Sequence, residues 1–163
     1  MERMINKEEI VTIAMTRKNY DPSIFKDAII EVAEIDYIKP ILGKDLYDEI
    51  RTQYLADTLT VLNTTLVNTY LKKILAFGAV YICLPTMMID ISNAGLQLNS
   101  TEFSSPISSS LRAELAQSIE SIINTFTNKL IEFLEDNEAD YPLYVVGDTP
   151  ESTSSKSDLI IDD

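Results

Sequence analysis

The sequence predicts an all-α protein: a four-helix-type bundle with a small loop or hairpin insertion at about 92–105 and an extended acidic C-terminal tail. Three observations predict it. Apolar residues recur at helical spacing over long stretches, most regularly Leu111, Leu115, Ile119, Ile122, Phe126, Leu130 and Phe133, at steps of 4, 4, 3, 4, 4 and 3. The chain holds only 4 Gly and 6 Pro in 163 residues, so these periodic stretches run with few interruptions. Where the breakers do occur, they stand at helix boundaries: Asp21-Pro22 reads as a helix start, and Pro40 with Gly43 as a corner.

Taken in order, Asn6 and Glu9 have the spacing of a capping box for a short helix or turn near 7–12. Residues 13–20 read as a connection. Asp21 as N-cap and Pro22 at the first position then open a helix over about 22–37. Ile24, Ala28, Val32 and Ile35 give its inner face, widened by Phe25 and Ile29.

The segment EIDYIKPILGKDLYDEI (34–50) is the most informative stretch. Pro40 lacks an N–H and disfavours helical geometry at Lys39, so it should end or kink the first helix. Gly43 accepts left-handed geometry at little cost. With Ile35, Ile38, Ile41, Leu42 and Leu46 around it, this corner belongs to a core. A second helix over about 44–57 buries Leu46, Tyr47, Ile50, Tyr54 and Leu55 and turns Asp45, Asp48, Glu49 and Arg51 to water. Residues 57–64 read as a loop or the lead-in to the next helix.

The third helix, about 65–91, is the most apolar. Its uncharged run from Ile74 to Ile89 is 16 residues, roughly 24 Å of helix against about 30 Å of bilayer hydrocarbon. Pro85 interrupts the run and Asp90 follows it, so a central helix surrounded by others fits better than a membrane span. Gly78 should permit a close helix contact. After the 92–105 insertion, Pro106 opens the fourth helix with Ser105 or Ser104 as its cap. Arg112, Glu114, Gln117, Glu120, Ser121 and Asn128 lie on its outer face.

Residues 1–146 therefore form one helical domain, and 147–163 an acidic flexible tail. Net charge is −13, unevenly spread: Glu135–Asp163 holds 9 acidic residues against Lys156 alone. Such a chain is a poor nucleic-acid wrapper, since phosphate binding needs clustered Lys and Arg. Like charge would still let DNA slide past without sticking. The tail carries two apolar clusters, Tyr141–Val146 and Leu159-Ile160-Ile161, in a setting that offers little else to bury. They read as docking segments that order on a partner, or, for the first cluster, as a segment that packs back on its own domain.

The chain has no histidine, which removes imidazole bases and the usual zinc sites, and it shows no P-loop or GxGxxG motif. Cys83 has no disulfide partner and reads as a small core residue rather than a nucleophile. Glu31 and Glu34 have the spacing to share a metal ion, with Asp36 beside them, but such sites usually add further carboxylate pairs and histidines. Asp136, Glu138 and Asp140 alternate like a calcium loop without its glycine and terminal glutamate. No catalytic, cofactor-binding or metal-ligating set is expected, and no enzymatic activity. The N-terminus MERMINKEEI has charges where a signal peptide needs an apolar stretch.

The pattern as a whole resembles the small head–tail connector proteins of tailed phages and prophages of Bacteroides-type bacteria, including the crAss-like phages. The resemblance runs through Ala33-Glu34, YIKPILGKDLYDEI, the long apolar helix, Asn93-Ala94-Gly95-Leu96, the long amphipathic helix ending near Asn137, and Tyr141-Pro142-Leu143-Tyr144. It covers about 5–146 and is sharpest at Ile38–Leu46 and Tyr141–Tyr144. It implies a virion structural protein, made in the host cytoplasm and placed in the neck below the portal. It implies assembly as a homo-oligomeric ring, typically a dodecamer, that joins the portal protein to the tail or a second neck ring and extends the DNA channel without specific DNA binding. The residues expected to serve this are Pro40 and Gly43 as a structural corner, and Tyr141, Pro142, Leu143, Tyr144, Val145, Val146, Leu159, Ile160 and Ile161 as interface. The alternative is a soluble helical binding module that uses its acidic tail to dock a basic partner.

Overall fold

The computed structural model describes residues 3–15, 21–92, 95–98 and 108–145, with the backbone alone for 88–92 and 95–98. The described residues are mostly helical, as expected for the all-α class, and add one short two-stranded ribbon.

Helix α1 spans Lys7–Ala14 and begins with the expected capping box: Asn6 Oδ1 accepts from the Glu9 N–H at 2.8 Å, and Glu9 Oε2 accepts from the Asn6 N–H at 3.0 Å. The next element corrects the expected boundary. Asp21 caps only a short 3₁₀ turn, Pro22–Ile24, through the Ser23 N–H, and helix α2 starts later, at Asp27, running to Ala33. Phe25, which closes the 3₁₀ turn, is fully buried between the two. The inner face is consequently Ile30, Ala33 and Ile38, while Ala28, Val32 and Ile35, expected inside, are exposed.

From Glu34 to Ile38 the helix widens into a π turn, with the Lys39 N–H reaching back five residues to the Glu34 carbonyl. The widened turn stands directly before Pro40, whose ring would otherwise press on the carbonyl four residues back. Pro40 thus does not end the helix, and α3 continues from Lys39 to Leu55. The corner is made at Gly43 alone, where φ 74° and ψ 167° interrupt the helical geometry. Beyond it Leu46, Tyr47 and Ile50 are buried as expected. Leu55 is instead exposed, and Arg51 turns partly inward.

Thr60 caps the next helix by accepting the Asn63 N–H at 3.1 Å. α4 (Val61–Leu66), a second π turn (Val67–Leu71) and α5 (Lys72–Met88) follow one another directly, so helix begins four residues before the expected position 65. The run Val61–Met87 is long and apolar enough to cross a membrane, but 56% of its most apolar window is buried inside the fold. Leu71, Ile74, Leu75, Ala76, Ala79 and Cys83 are fully covered. α5 packs against α1, α2 and α6 and is the central element. Gly78 makes the close contact expected of it: a Cβ there would lie 2.6 Å from Tyr37 Cδ2.

The insertion starts earlier than 92. Strand β1 (Ile89–Ser92) pairs antiparallel with β2 (Gly95–Leu98), with Ile89 opposite Leu98 and Ser92 opposite Gly95. The remainder of the expected insertion, 99–105, lies outside the described residues. Helix α6 spans Ser109–Asp136, and its cap is Ser108, whose Oγ accepts the Leu111 N–H, rather than Ser104 or Ser105. Its buried residues are Ile119, Ile123, Leu130 and Leu134. Of the expected stripe, Ile122, Phe126 and Phe133 are half-buried and Leu111 and Leu115 are exposed. A 3₁₀ turn, Glu138–Asp140, closes the helix.

Candidate functional site

Two parts of the molecule have more than packing in them: the corner that joins α2 to α3, and the segment that follows α6.

The corner is built around a buried carboxylate. Glu34 opens the π turn on the inner face, between Ile30 and Ile38, and is 0% exposed. Its Oε1 accepts the Met4 N–H at 2.9 Å, and Tyr47 Oη donates to Oε2 at 3.4 Å. Two cations face Oε2, with Arg3 Nη1 at 3.8 Å and Arg51 Nε at 4.0 Å. Arg3 also binds Glu31 Oε2 through Nη2 at 2.5 Å. Burial pushes the Glu34 carboxyl above the usual carboxylate range, and the Met4 N–H, the two arginines and Tyr47 pull it back part of the way. The group thus ties three sequence regions together: the N-terminal segment, the π turn and the far side of the corner. Lys72 Nζ to Glu9 Oε1 at 2.6 Å and Lys7 Nζ to Asp27 Oδ1 at 3.0 Å hold α1 in the same arrangement.

This geometry replaces the metal reading of Glu31 and Glu34. Both carboxylates are committed to Arg3, while Asp36 is exposed. Among the described residues no group of three or more His, Cys, Asp or Glu side chains is placed to hold a metal ion. Beside the network a cleft of about 690 Å³ runs between the N-terminal segment and the end of α3, lined by Arg3, Ile5, Lys7, Asp27, Ile30 and Tyr54 among others. Acids and bases both line it, and Lys7 and Asp27 already pair with each other.

The C-terminal segment divides in two. Tyr141 and Tyr144 are buried, 2% and 6% exposed. Tyr141 Oη donates to the Leu62 carbonyl at 3.3 Å, and its ring meets Phe133 edge-on at 5.9 Å. Phe133 in turn stacks on Tyr70, from the second π turn, at 4.7 Å. Burial pushes the Tyr141 hydroxyl up to about 12. These two residues anchor the segment to its own domain. Pro142, Leu143 and Val145 face outward, and Val146, Leu159, Ile160 and Ile161 lie outside the described residues.

Of the residues expected from sequence, the structure therefore places Gly43 at the corner, Pro40 next to it within the helix, and the Tyr141–Val145 segment against the start of α4. It does not bring the corner and this segment into one site. The feature missed was Glu34. Its signal is the step of four that links Ile30, Glu34 and Ile38 on one face; a charged residue there argues for exposure unless its partners, Arg3 and Arg51, are known to be near.

A family model described as "Family of unknown function (DUF6712)" matches residues 38–154, and the chain belongs to this family. The match takes in Gly43, Tyr47, Arg51 and the Tyr141–Tyr144 anchor, and begins after Glu34. No curated protein and no solved structure matches the chain.

Proposed function

We propose that this chain is a structural, non-catalytic connector subunit of a tailed-phage neck, a four-helix-type bundle with an acidic tail that assembles as a ring between portal and tail. The observation that carries this beyond the sequence resemblance is the distribution of uncovered apolar side chains. Val32 and Ile35 stand on α2 and its π turn, Leu111 and Leu115 on the first half of α6, and Val61, Leu62, Leu143 and Val145 where α4 begins. A ring closes through heterologous contacts, in which two different faces of each subunit meet, so separate apolar groups on different elements suit it. Single exposed apolar residues are common on any surface, and it is their grouping that supports an interface.

Each contact would be weak alone. Repetition around a symmetric portal would add them through effective concentration. The corner at Gly43, braced by Glu34, would fix the inter-helix angle that every subunit must repeat. The net charge of −13 would let DNA pass without binding. The chain mixed with its portal, full-length and with 147–163 deleted, tests this reading. Loss of portal or tail attachment on deletion is the expected result. Unchanged attachment would end the role of the tail, and a chain that joins neither portal nor tail at full length would end the connector reading.

A further inference from the structure

Lys73 and Lys129 hold their Nζ atoms 5.3 and 5.9 Å from the centre of one ring, that of Phe126. Lys73 comes from α5 and Lys129 from α6, so two helices bring both charges to one aromatic side chain. The ring is half-buried and stacks on the half-buried Phe77 at 6.0 Å. Among the described residues Arg3, Lys7, Lys44, Arg51 and Lys72 each meet a carboxylate, and Lys73 and Lys129 meet none. An aromatic face attracts an ammonium but does not neutralise it. Two cations without a countercharge, gathered on an apolar surface, suit a partner group that is both acidic and apolar.

A group of that kind stands on α2 and its π turn. Val32 and Ile35 are 41% and 48% exposed there, and the exposed Glu31 and Asp36 flank them. Asp36 has no cation partner among the described residues, and no ion pair joins this face to Lys73 or Lys129 within the chain. We infer that Lys73, Phe126 and Lys129 of one copy take the α2 face of a second copy, with Val32 and Ile35 against the ring and Asp36 and Glu31 beside the ammoniums.

Charge favours a second copy as the occupant. Two copies of net charge −13 repel each other at long range, so they associate best where the sign reverses locally. The Lys73–Lys129 pair is such a place, and the α2 face matches it in both charge and apolar content. A phosphate backbone would bring charge but nothing apolar to cover Phe126 and Phe77. The two faces differ, so the contact is heterologous, as a ring requires. The pairing deepens the connector reading by naming its subunit contact, and it rests on that reading's premise that copies assemble.

Analytical ultracentrifugation of full-length chains tests it. The variant Lys73→Glu, Lys129→Glu should associate about a hundredfold or more weakly than wild type, because it sets like charges against each other. The milder Lys73→Gln, Lys129→Gln should weaken association in the same direction. The variant Val32→Ser, Ile35→Ser, Asp36→Asn should also lose association. Mixed in equal amounts, the Glu variant and this α2 variant should form one-to-one dimers and nothing larger, since one intact face of each kind remains. That mixture also shows that both variants are folded. Dimers failing to form, or a Glu variant that associates as tightly as wild type, would overturn the pairing. A wild-type chain that stays monomeric alone yet forms a ring on the portal would overturn the pairing and leave the connector reading standing. A wild-type chain that stops at a closed reciprocal dimer through these faces would support the pairing and end the ring.

Discussion

Around α2 and its π turn, inside and outside divide by circumference; along α6 they divide by length. Ile30, Ala33, Glu34 and Ile38 point inward on the first while Val32 and Ile35 point out. On α6 the stretch from Ile119 onward supplies Ile119, Ile123, Leu130 and Leu134 to the core, and the first turns leave Leu111 and Leu115 at 50% and 40% exposure. The difference has a physical cause in each case. α2 is fixed by a charge that needs its partners, so a carboxylate goes in with two arginines and two hydrogen-bond donors, and apolar residues are left outside. α6 is fixed by ordinary apolar packing against α5, including Phe126 on Phe77 at 6.0 Å, and its exposed leucines lie N-terminal to the core-forming stretch. The outward residues of both are left over from packing, and that makes them candidates for contacts between subunits.

Removing the charge at the centre of the first region has the largest expected effect. Glu34→Ala leaves the buried Met4 N–H and the Tyr47 hydroxyl without their acceptor while Arg3 keeps Glu31, and leaving buried polar groups unsatisfied costs about 1–3 kcal/mol each. Urea denaturation should show a loss of that order; a loss under about 1 kcal/mol would mean that these donors do not depend on Glu34.

Backbone changes at the glycines come next. Gly43 sits at φ 74° and ψ 167°, a region essentially reserved for glycine, although nothing lies within 4 Å of a Cβ there. Gly43→Ala should cost about 1–3 kcal/mol from conformation alone. Gly78→Ala has the opposite character, with helical backbone but no room, since Tyr37 must give way. Overpacking of that kind costs about 1–3 kcal/mol, offset in part by the helix preference of alanine. The two variants separate if Tyr37→Leu relieves Gly78→Ala and leaves Gly43→Ala untouched.

A smaller effect follows from the titration of Glu34. Its folded-state pKa stands above the ordinary value because burial penalises the charged form. Stability from this group is then complete below the ordinary glutamate range and is lost as pH rises through the raised folded-state pKa. Glu34→Gln removes that dependence. The difference in unfolding free energy between wild type and variant should shift against the wild type as pH rises above the ordinary glutamate pKa, and a flat difference would contradict the burial argument.

The smallest effect on stability belongs to the outward residues of α6. Leu111→Ser with Leu115→Ser should change unfolding free energy by about 0.5 kcal/mol or less. If these leucines form a subunit contact, the same variant should lose assembly on the portal while its monomer melts normally.

Much of this fold was legible in the chain. The Asn6–Glu9 box, the Gly43 corner, the close approach at Gly78 and the long final helix all follow from local chemistry, in which a residue and its partner lie within a few positions. What was not legible depends on distant partners. Glu34 goes inward because Arg3 and Arg51 meet it from 31 and 17 positions away. Pro40 continues a helix because a π turn precedes it, and nothing in the local residues announces that turn. The exit segment was open between docking outward and packing home. The structure gives Tyr141 and Tyr144 to the core and turns Leu143 and Val145 out, a division settled by Leu62 and Phe133 from other helices.

Electron microscopy of virion necks tests the connector role most directly. The proposal predicts a ring of this chain between portal and tail, with the helical body fitting the density and Leu111, Leu115, Val32 and Ile35 at or near subunit contacts. Necks that lack the chain, or recovery of the chain only with a nonviral basic partner, would contradict it.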